Sequence, residues 1–317
     1  MKPPRLVVLR ALKIGDLVTA VPALRALARA YPMHERVLAA PDALRPLAGL
    51  LRSVDRVVDV APLGVLPAIL GDPAVAVNLH GKGPESTRVL AAARPERLIA
   101  FGCGERGCRV EGPRWRADEH EVERWCRLLS ESGIDADPDD RRLAPPPVAP
   151  PPVAVGATIV HPGASAPARR WPADRFAAVA RAEVDAGRRV VITGDPSERR
   201  LARQVADLAG LDDGVVLAGR TSLLELAAAV AAADVVCSGD TGVAHLATAF
   251  GTPSVVLFGP VSPAHWGPPA HDPRHRALWA GRLGDPHAPR VDSGLLHIGV
   301  DRVVATLGEV CGRKTNR

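Results

Sequence analysis

The sequence has 317 residues and a mass of 33.3 kDa, which suits two domains of ordinary size or one large α/β domain. Hydrophobic residues make up 47% of the chain, and no apolar run reaches the roughly 20 residues of a membrane helix, so the composition excludes a disordered chain and predicts no membrane span. The net charge of +5 does not indicate nucleic-acid binding, because the arginines are dispersed among acidic residues without interleaved aromatics.

Strands and helices alternate in both halves of the chain. In the first half we predict strands at 6–10, 37–40, 57–60, 75–80 and 98–101, and a helix at 19–30 with Thr19 as its N-cap. In the second half we predict strands at 153–161, 189–193, 215–218, 235–238 and 254–258, and helices at 173–186, 198–209, 223–232 and 243–250. Short apolar strands between helices favour parallel sheets covered on both faces, so we predict an α/β chain of two doubly wound domains.

A proline-rich segment, 144–152, marks the clearest boundary between the two halves. Such a segment favours an extended, semi-rigid spacer. We therefore expect one domain at 1–150 and a second at 151–317.

Ligands of doubly wound sheets bind beyond the C-terminal ends of the strands, so the loops that follow strands are the candidate sites. After the first strand, Lys13 and Gly15 precede Asp16, which is either a helix cap or a general base. After the fourth strand, His80 and Lys82 lie either in an ordinary connection or in a loop that contacts an acceptor or an anionic group.

A third loop, 102–107, fits the G-x-G-x-x-G pattern of dinucleotide-binding proteins. That pattern requires a helix to begin there and to hold the pyrophosphate at its N-terminus. Gly112 and Pro113 interrupt the chain within one or two turns, so the pattern is a weak signal here.

The loops of the second half have the chemistry of an anion site. The segment 161–172 carries Ser165, Arg169 and Arg170, which can donate to phosphate oxygens, although these arginines are also explained as ordinary exposed ones. Glu198 begins a helix, where the dipole favours a carboxylate, and it can also accept hydrogen bonds from a ribose or sugar diol.

The sharpest signal is the turn at 238–245, where a strand ends and a helix begins. The free N–H groups of that helix start form a ready diphosphate site, to which Thr241 can add a hydroxyl donor. We expect Asp240 to bind a hydroxyl or cap the helix, Gly242 to open it, and His245 to face the same pocket. The alternative is a helix capped by Asp240 or Thr241 with a buried His245.

Three segments together resemble glycosyltransferase family 9, the ADP-heptose:lipopolysaccharide heptosyltransferase-like enzymes of the GT-B fold. They are Leu-Lys-Ile-Gly-Asp-Leu-Val-Thr-Ala-Val-Pro near the N-terminus, His-Pro-Gly-Ala-Ser followed by Arg-Arg-Trp-Pro, and Ser-Gly-Asp-Thr-Gly-Val-Ala-His. The resemblance implies two Rossmann-like, doubly wound parallel-sheet domains facing across a cleft. Residues 1–150 would bind the acceptor and residues 151–317 the nucleotide-sugar donor.

The resemblance also assigns roles to individual residues. Asp16 falls on the catalytic aspartate, with Lys13, Gly15, His80 and Lys82 as acceptor-side candidates. The donor-binding residues would be Ser165, Arg169, Glu198, Asp240, Thr241, Gly242 and His245. Arg169 stands where the family has a lysine, a departure that keeps the positive charge but presents a wider, planar fork.

The function implied is an inverting, metal-independent transfer of a sugar, a heptose in this family, from a nucleotide diphosphate sugar such as ADP-heptose. The acceptor would be a hydroxyl of a cell-envelope glycan, a lipopolysaccharide core or a related molecule. The nucleotide sugar is a co-substrate, and we expect no cofactor, metal or nucleic-acid partner. Three alternatives are transfer to a secondary metabolite, a dinucleotide-dependent oxidoreductase and a non-catalytic nucleotide-sugar-binding module. We expect a cytoplasmic monomer with at most peripheral contact at the inner face of the cytoplasmic membrane.

Overall fold

The structure, a computed structural model, describes residues 2–105 and 108–312. The chain divides into two compact units, Met1–Arg141 and Arg142–Arg317. The proline-rich segment 144–152 lies within the second unit, where the N–H of Leu143 donates to the carbonyl of Ala249 at 2.8 Å.

The first unit alternates strands and helices along the chain. Its strands are β1 Arg5–Leu9, β2 Glu35–Ala40, β3 Arg56–Asp59, β4 Val75–Asn78 and β5 Arg97–Ile99. Its helices are α1 Ile14–Thr19, α2 Val21–Ala30, α3 Arg45–Ala48, α4 Glu85–Ala91 and α5 Glu121–Ser130.

The five strands of the first unit form one parallel sheet in the order β3-β2-β1-β4-β5. Leu9, at the end of β1, is in register with Ala39 of β2 on one side and Asn78 of β4 on the other. The chain moves outward from β1 to β3 and then returns to β4, so the switch point of the sheet lies between β1 and β4. Alternate strand residues such as Val7, Leu9 and Val37 pack into a core on one face of this sheet.

The second unit repeats the architecture. Its strands are β6 Thr158–His161, β7 Val190–Ile192, β8 Val235–Gly239, β9 Ser254–Phe258 and β10 His275–Trp279. Its helices are α6 Ala173–Asp185, α7 Arg199–Ala209, α8 Leu223–Ala232, α9 Gly242–Phe250, α10 Pro263–Trp266, α11 Ser293–Leu296 and α12 Val300–Val310.

The sheet of the second unit is also parallel, in the order β10-β9-β8-β6-β7. Its switch point lies between β6 and β8, where His161 is in register with Ser238. The segment predicted as a strand at 215–218 forms a single parallel bridge, Val216 to Ile192, beyond β7. A 3₁₀ turn at Asp213–Val215 takes up the first residue of that segment.

The predicted α/β fold class, with two doubly wound parallel sheets, is confirmed. The helix predicted at 19–30 corresponds to α2, but its N-cap is Ala20 and not Thr19, which is the last residue of the separate and unpredicted helix α1. The strand predicted at 153–161 is also shorter, since a 3₁₀ turn occupies Pro152–Ala154 before β6. Helices α5 and α12 and strand β10 were not predicted.

Candidate active site

Two groups of predicted residues meet at the switch point of the first unit. Because β1 and β4 are parallel neighbours, the loops that leave them lie side by side at one edge of the sheet. One loop leads into α1 with Lys13, Gly15 and Asp16, and the other carries His80 and Lys82. Both lysine side chains are exposed, whereas Gly15, Asp16 and His80 are half-buried.

Asp16 lies in the first turn of α1, not in the preceding loop. Its Oδ2 accepts the backbone N–H of Lys13 at 3.1 Å, so one carboxylate oxygen caps the helix. Its Oδ1 lies 3.7 Å from Nη2 of Arg10, and the side chain keeps 22% of its exposure. Capping and base chemistry are therefore compatible here. Gly15 lies in the same helical turn.

Arg10 organises this edge, and sequence reasoning missed it. The side chain is fully buried at the end of β1 and donates to four acceptors. These are the carbonyl of Asp16 (2.9 Å), the carbonyl of Leu79, Thr19 Oγ1 (3.2 Å) and Glu121 Oε1 (2.9 Å). Its guanidinium also lies 4.8 Å from the ring centroid of Trp125. The available signal was a cation directly after an apolar strand.

Glu121 supplies the counter-charge from the start of α5. Its carboxylate accepts from Arg10, Arg124 and the indole N–H of Trp125, the last at 2.9 Å. Burial alone would raise the pKa of Glu121, but the charges and hydrogen bonds of Arg10 and its neighbours outweigh burial and hold the pKa below its ordinary value. Glu121 is thus ionised at neutral pH.

His80 is the second titratable group beside Asp16. Burial lowers its pKa, the charge of Arg10 lowers it further, and Asp16 opposes both effects. Its backbone N–H donates to Asn78 Oδ1 at 3.0 Å, while its own Nδ1 is buried without a hydrogen-bond partner. A neutral imidazole beside the Asp16 carboxylate can therefore donate to, or accept from, a hydroxyl.

Arg169 joins the two loops at the switch point of the second unit. Its Nη2 donates to the carbonyl of Asp240 at 2.7 Å and to Asp240 Oδ2 at 2.5 Å. Its Nη1 lies 3.4 Å from Oγ of the exposed Ser165. Asp240 therefore pairs with a cation. The alternative in which its side chain caps α9 is wrong. Arg170 instead donates to the carbonyl of Ala164 at 2.9 Å.

Helix α9 begins at Gly242 without a side-chain cap. Thr241 is its N-cap residue by backbone geometry, but its hydroxyl makes no capping hydrogen bond. Thr241 Oγ1 is also buried, with no hydrogen-bond partner within residues 2–105 and 108–312. The first N–H groups of α9 and this hydroxyl are donors beside Arg169, which is the chemistry of an anion site.

His245 follows one turn later in α9 and is half-buried. Its ring meets that of Trp266, at the end of α10, edge to face at a centroid distance of 5.9 Å. It is therefore neither exposed nor fully buried.

Glu198 is the last residue of a 3₁₀ turn before α7, and its carboxylate packs against Gly163. A Cβ at Gly163 would lie 2.1 Å from Glu198 Oε1, so only glycine permits this approach. Burial raises the pKa of Glu198, although the N–H of Asp195 donates to Oε2 at 3.0 Å. His161 Nε2 lies 3.9 Å from that same oxygen, and full burial lowers the pKa of His161 to about 4.

The described residues hold neither a metal cluster nor a membrane-spanning helix. No three His, Cys, Asp or Glu side chains within 2–105 and 108–312 group as metal ligands, and no helix there is long and apolar enough to cross a membrane. In the glycine pattern at 102–107, Gly107 lies outside the described residues, and Cys103 forms an antiparallel bridge with Val110.

Comparison with known proteins identifies a family. The model of glycosyltransferase family 9 (heptosyltransferase) matches residues 113–285, more than half of the chain. That match includes the candidate residues of the second unit but not Asp16 or His80. No curated protein matches the chain.

Solved structures share the fold over nearly the whole chain. ADP-heptose LPS heptosyltransferase II of E. coli matches with a TM-score of 0.76 and 21% identity, covering 97% of this chain and 98% of that one. E. coli heptosyltransferase WaaC with ADP matches at 0.70 and 18%, covering 96% and 99%. The iron-containing dodecameric glycosyltransferase TibC from enterotoxigenic E. coli matches at 0.61 and 13%, covering 98% and 76%.

Proposed function

The chain belongs to glycosyltransferase family 9, and from this we propose that it transfers a sugar, with inversion, from a nucleotide diphosphate sugar to a hydroxyl acceptor. The observation that carries the proposal is the partly exposed carboxylate of Asp16, held at the switch point of the first sheet. We propose a heptose as the sugar and ADP as the nucleotide, in line with the names of the two similar E. coli heptosyltransferases. The acceptor would be a cell-envelope glycan such as a lipopolysaccharide core.

The second unit would bind the donor. Arg169, Ser165 and the first N–H groups of α9 present positive charge and hydrogen-bond donors to a diphosphate. Thr241 Oγ1 can add a hydrogen bond, since its hydroxyl has no partner among the described residues. Asp240 offsets part of the charge of Arg169 and fixes its direction. Glu198 would accept from the ribose, with Gly242 and His245 near the diphosphate and sugar.

The first unit would bind the acceptor and start the reaction. Asp16 takes the proton of the acceptor hydroxyl as that oxygen forms a bond to the anomeric carbon of the donor. The bond from that carbon to the diphosphate breaks, and its electron pair stays on the diphosphate oxygen. Neutral His80 can orient the hydroxyl, while exposed Lys13 and Lys82 suit an anionic acceptor.

The departing diphosphate gains negative charge, which must be offset in the transition state. We propose that Arg169 and the N–H groups at the start of α9 do this, so that transfer needs no metal. Cytoplasmic location, peripheral contact with the membrane and a monomeric state stay predictions.

A transfer assay tests the proposal. The enzyme is incubated with ADP-heptose and a heptose-free lipopolysaccharide core fragment, with and without a chelator. We expect ADP release in proportion to a glycosylated product of inverted anomeric configuration, at a rate that the chelator leaves unchanged. Retained configuration, or neither binding nor transfer with ADP-, GDP- and UDP-sugars, would refute the proposal.

A further inference from the structure

We propose that Arg10 and Glu121 form a buried positioning pair that sets both the place and the basicity of the Asp16 carboxylate. The inference rests on the proposed function, in which Asp16 is the base. Neither residue touches substrate in this proposal, and both act through Asp16.

Arg10 fixes the place of Asp16 because its donors reach both loops of the switch point. One nitrogen holds the carbonyl of Asp16 at 2.9 Å, and another holds the carbonyl of Leu79, next to His80. Thr19 Oγ1, at the other end of α1, accepts from Arg10 and donates to the carbonyl of Asp16 at 3.0 Å. The short helix that carries Asp16 is thereby held at Asp16 itself and at its last residue by a side chain with no exposure.

Glu121 controls the charge that Asp16 experiences. Nη2 of Arg10 lies 2.9 Å from Glu121 Oε1 and 3.7 Å from Asp16 Oδ1, so the two carboxylates share one cation. An uncompensated Arg10 would favour the ionised form of Asp16 and make it a weaker base. Because Glu121 is the nearer anion, it takes up most of that positive charge and leaves Asp16 able to accept a proton.

The other groups around this array do not replace Glu121. Arg124, also on α5, pairs with the far oxygen of Glu121, and His80 is held neutral. Lys13 meets Asp16 through its backbone N–H, while its side chain is exposed. Thr19 carries no charge.

The test compares Glu121→Gln with wild type in kcat, donor KM, ADP affinity and the pH profile of kcat/KM. We expect kcat to fall about tenfold, with donor KM and ADP affinity within about twofold, because the geometry at Asp16 loosens. We also expect the acidic limb of the profile to move about half a pH unit lower, since the positive charge beside Asp16 is no longer balanced. Arg10→Lys, which keeps the charge but cannot span the same acceptors, should lower kcat without that displacement.

A matched control separates positioning from simple loss of stability. Glu183 is a second fully buried carboxylate, paired with Arg188 and accepting from Thr158 Oγ1 at 2.6 Å at the start of β6. We expect Glu183→Gln to lower the unfolding temperature but to leave the kcat of the folded enzyme and the pH profile unchanged. If Glu121→Gln does not fold, Glu121→Asp replaces it in the test. Because aspartate keeps the negative charge but is shorter, we expect a lower kcat and an unchanged acidic limb in the pH profile of kcat/KM.

A wild-type kcat and pH profile in Glu121→Gln, or an activity loss that only follows the folded fraction as in the control, would overturn the inference. A wild-type kcat in Glu121→Asp would also overturn the inference. Asp16→Asn distinguishes this failure from that of the proposed function. An inactive Asp16→Asn beside an unaffected Glu121→Gln rejects the positioning pair alone, whereas an active Asp16→Asn rejects the base itself.

Discussion

The Arg169 side chain shows what the structure adds to a cation that the sequence already marks as a candidate. A lysine would present a single nitrogen, whereas the guanidinium of Arg169 holds the carbonyl and the carboxylate of Asp240 through Nη2 and places Nη1 3.4 Å from Ser165 Oγ. The positive charge was readable from the sequence. Its pairing was not, because Arg169 and Asp240 are 71 residues apart and meet only when β6 and β8 pair.

Replacing Arg169 by alanine should weaken donor binding. The variant removes a positive charge from the proposed diphosphate site and leaves the buried Asp240 without its cation. We expect the ADP dissociation constant, measured by calorimetry, to rise about tenfold or more. Arg274→Ala is the control, since Arg274 pairs with Asp272 before β10, at the opposite edge of the sheet. Equal ADP affinity in the two variants would contradict the donor role of Arg169.

His161 should make folding stability depend on pH. Its pKa is about 4 in the folded protein, against an ordinary value of 6.5, because burial disfavours the charged ring. Between these values the unfolded chain binds the proton and the folded chain does not, so stability is full above about pH 6.5 and is lost as pH falls toward 4. The loss attributable to this group is about 3 kcal/mol.

Urea unfolding of wild type and His161→Gln between pH 7 and pH 4.5 measures that loss. We expect the difference in unfolding free energy between the two proteins to shrink at the lower pH, since glutamine binds no proton. His287→Gln, a change at an exposed histidine, should follow wild type throughout. Parallel pH dependences of wild type and His161→Gln would be evidence against a buried neutral His161.

Helices α1 and α9 illustrate what local sequence can predict about an element. The start of α9 was predicted within one residue, because a strand, a polar turn and an apolar helix follow one another directly. Helix α1 was read as a loop, because Gly15 and Asp16 are common in turns, although the carboxylate in fact caps its own helix. Strand β10 was missed because prolines and histidines surround it, and it is placed by its pairing with β9.

Thr241→Val should separate binding from stability at the start of α9. The Thr241 hydroxyl is buried without a partner in the part of the chain that the structure describes, so its removal breaks no hydrogen bond there. We expect an unfolding temperature equal to or above that of wild type, together with about five- to tenfold weaker ADP binding. Thr248→Val, on the same helix, should leave ADP binding unchanged. A lower unfolding temperature with unaltered ADP affinity would assign Thr241 a purely structural role.

At the scale of the whole chain, the same topology is used twice. Each unit has a parallel sheet with its switch point at the first strand, and each brings two polar loops together there. For this reason, most of the loops that the sequence analysis selected because they follow strands lie together at the two switch points. The buried charges that support them, such as Arg10 and Glu121, lie 111 residues apart and could not be paired from sequence alone. The dispersed arginines likewise serve mainly as partners of nearby carboxylates, as in Arg36 with Asp55.

The most direct measurement is the transfer rate of Asp16→Asn with ADP-heptose and the core acceptor, set beside its ADP affinity. The amide keeps the shape of the side chain but cannot take a proton at the acceptor hydroxyl. We predict a loss of transfer of about 10²–10⁴-fold with ADP affinity within about twofold of wild type. Transfer at the wild-type rate by Asp16→Asn would contradict the account.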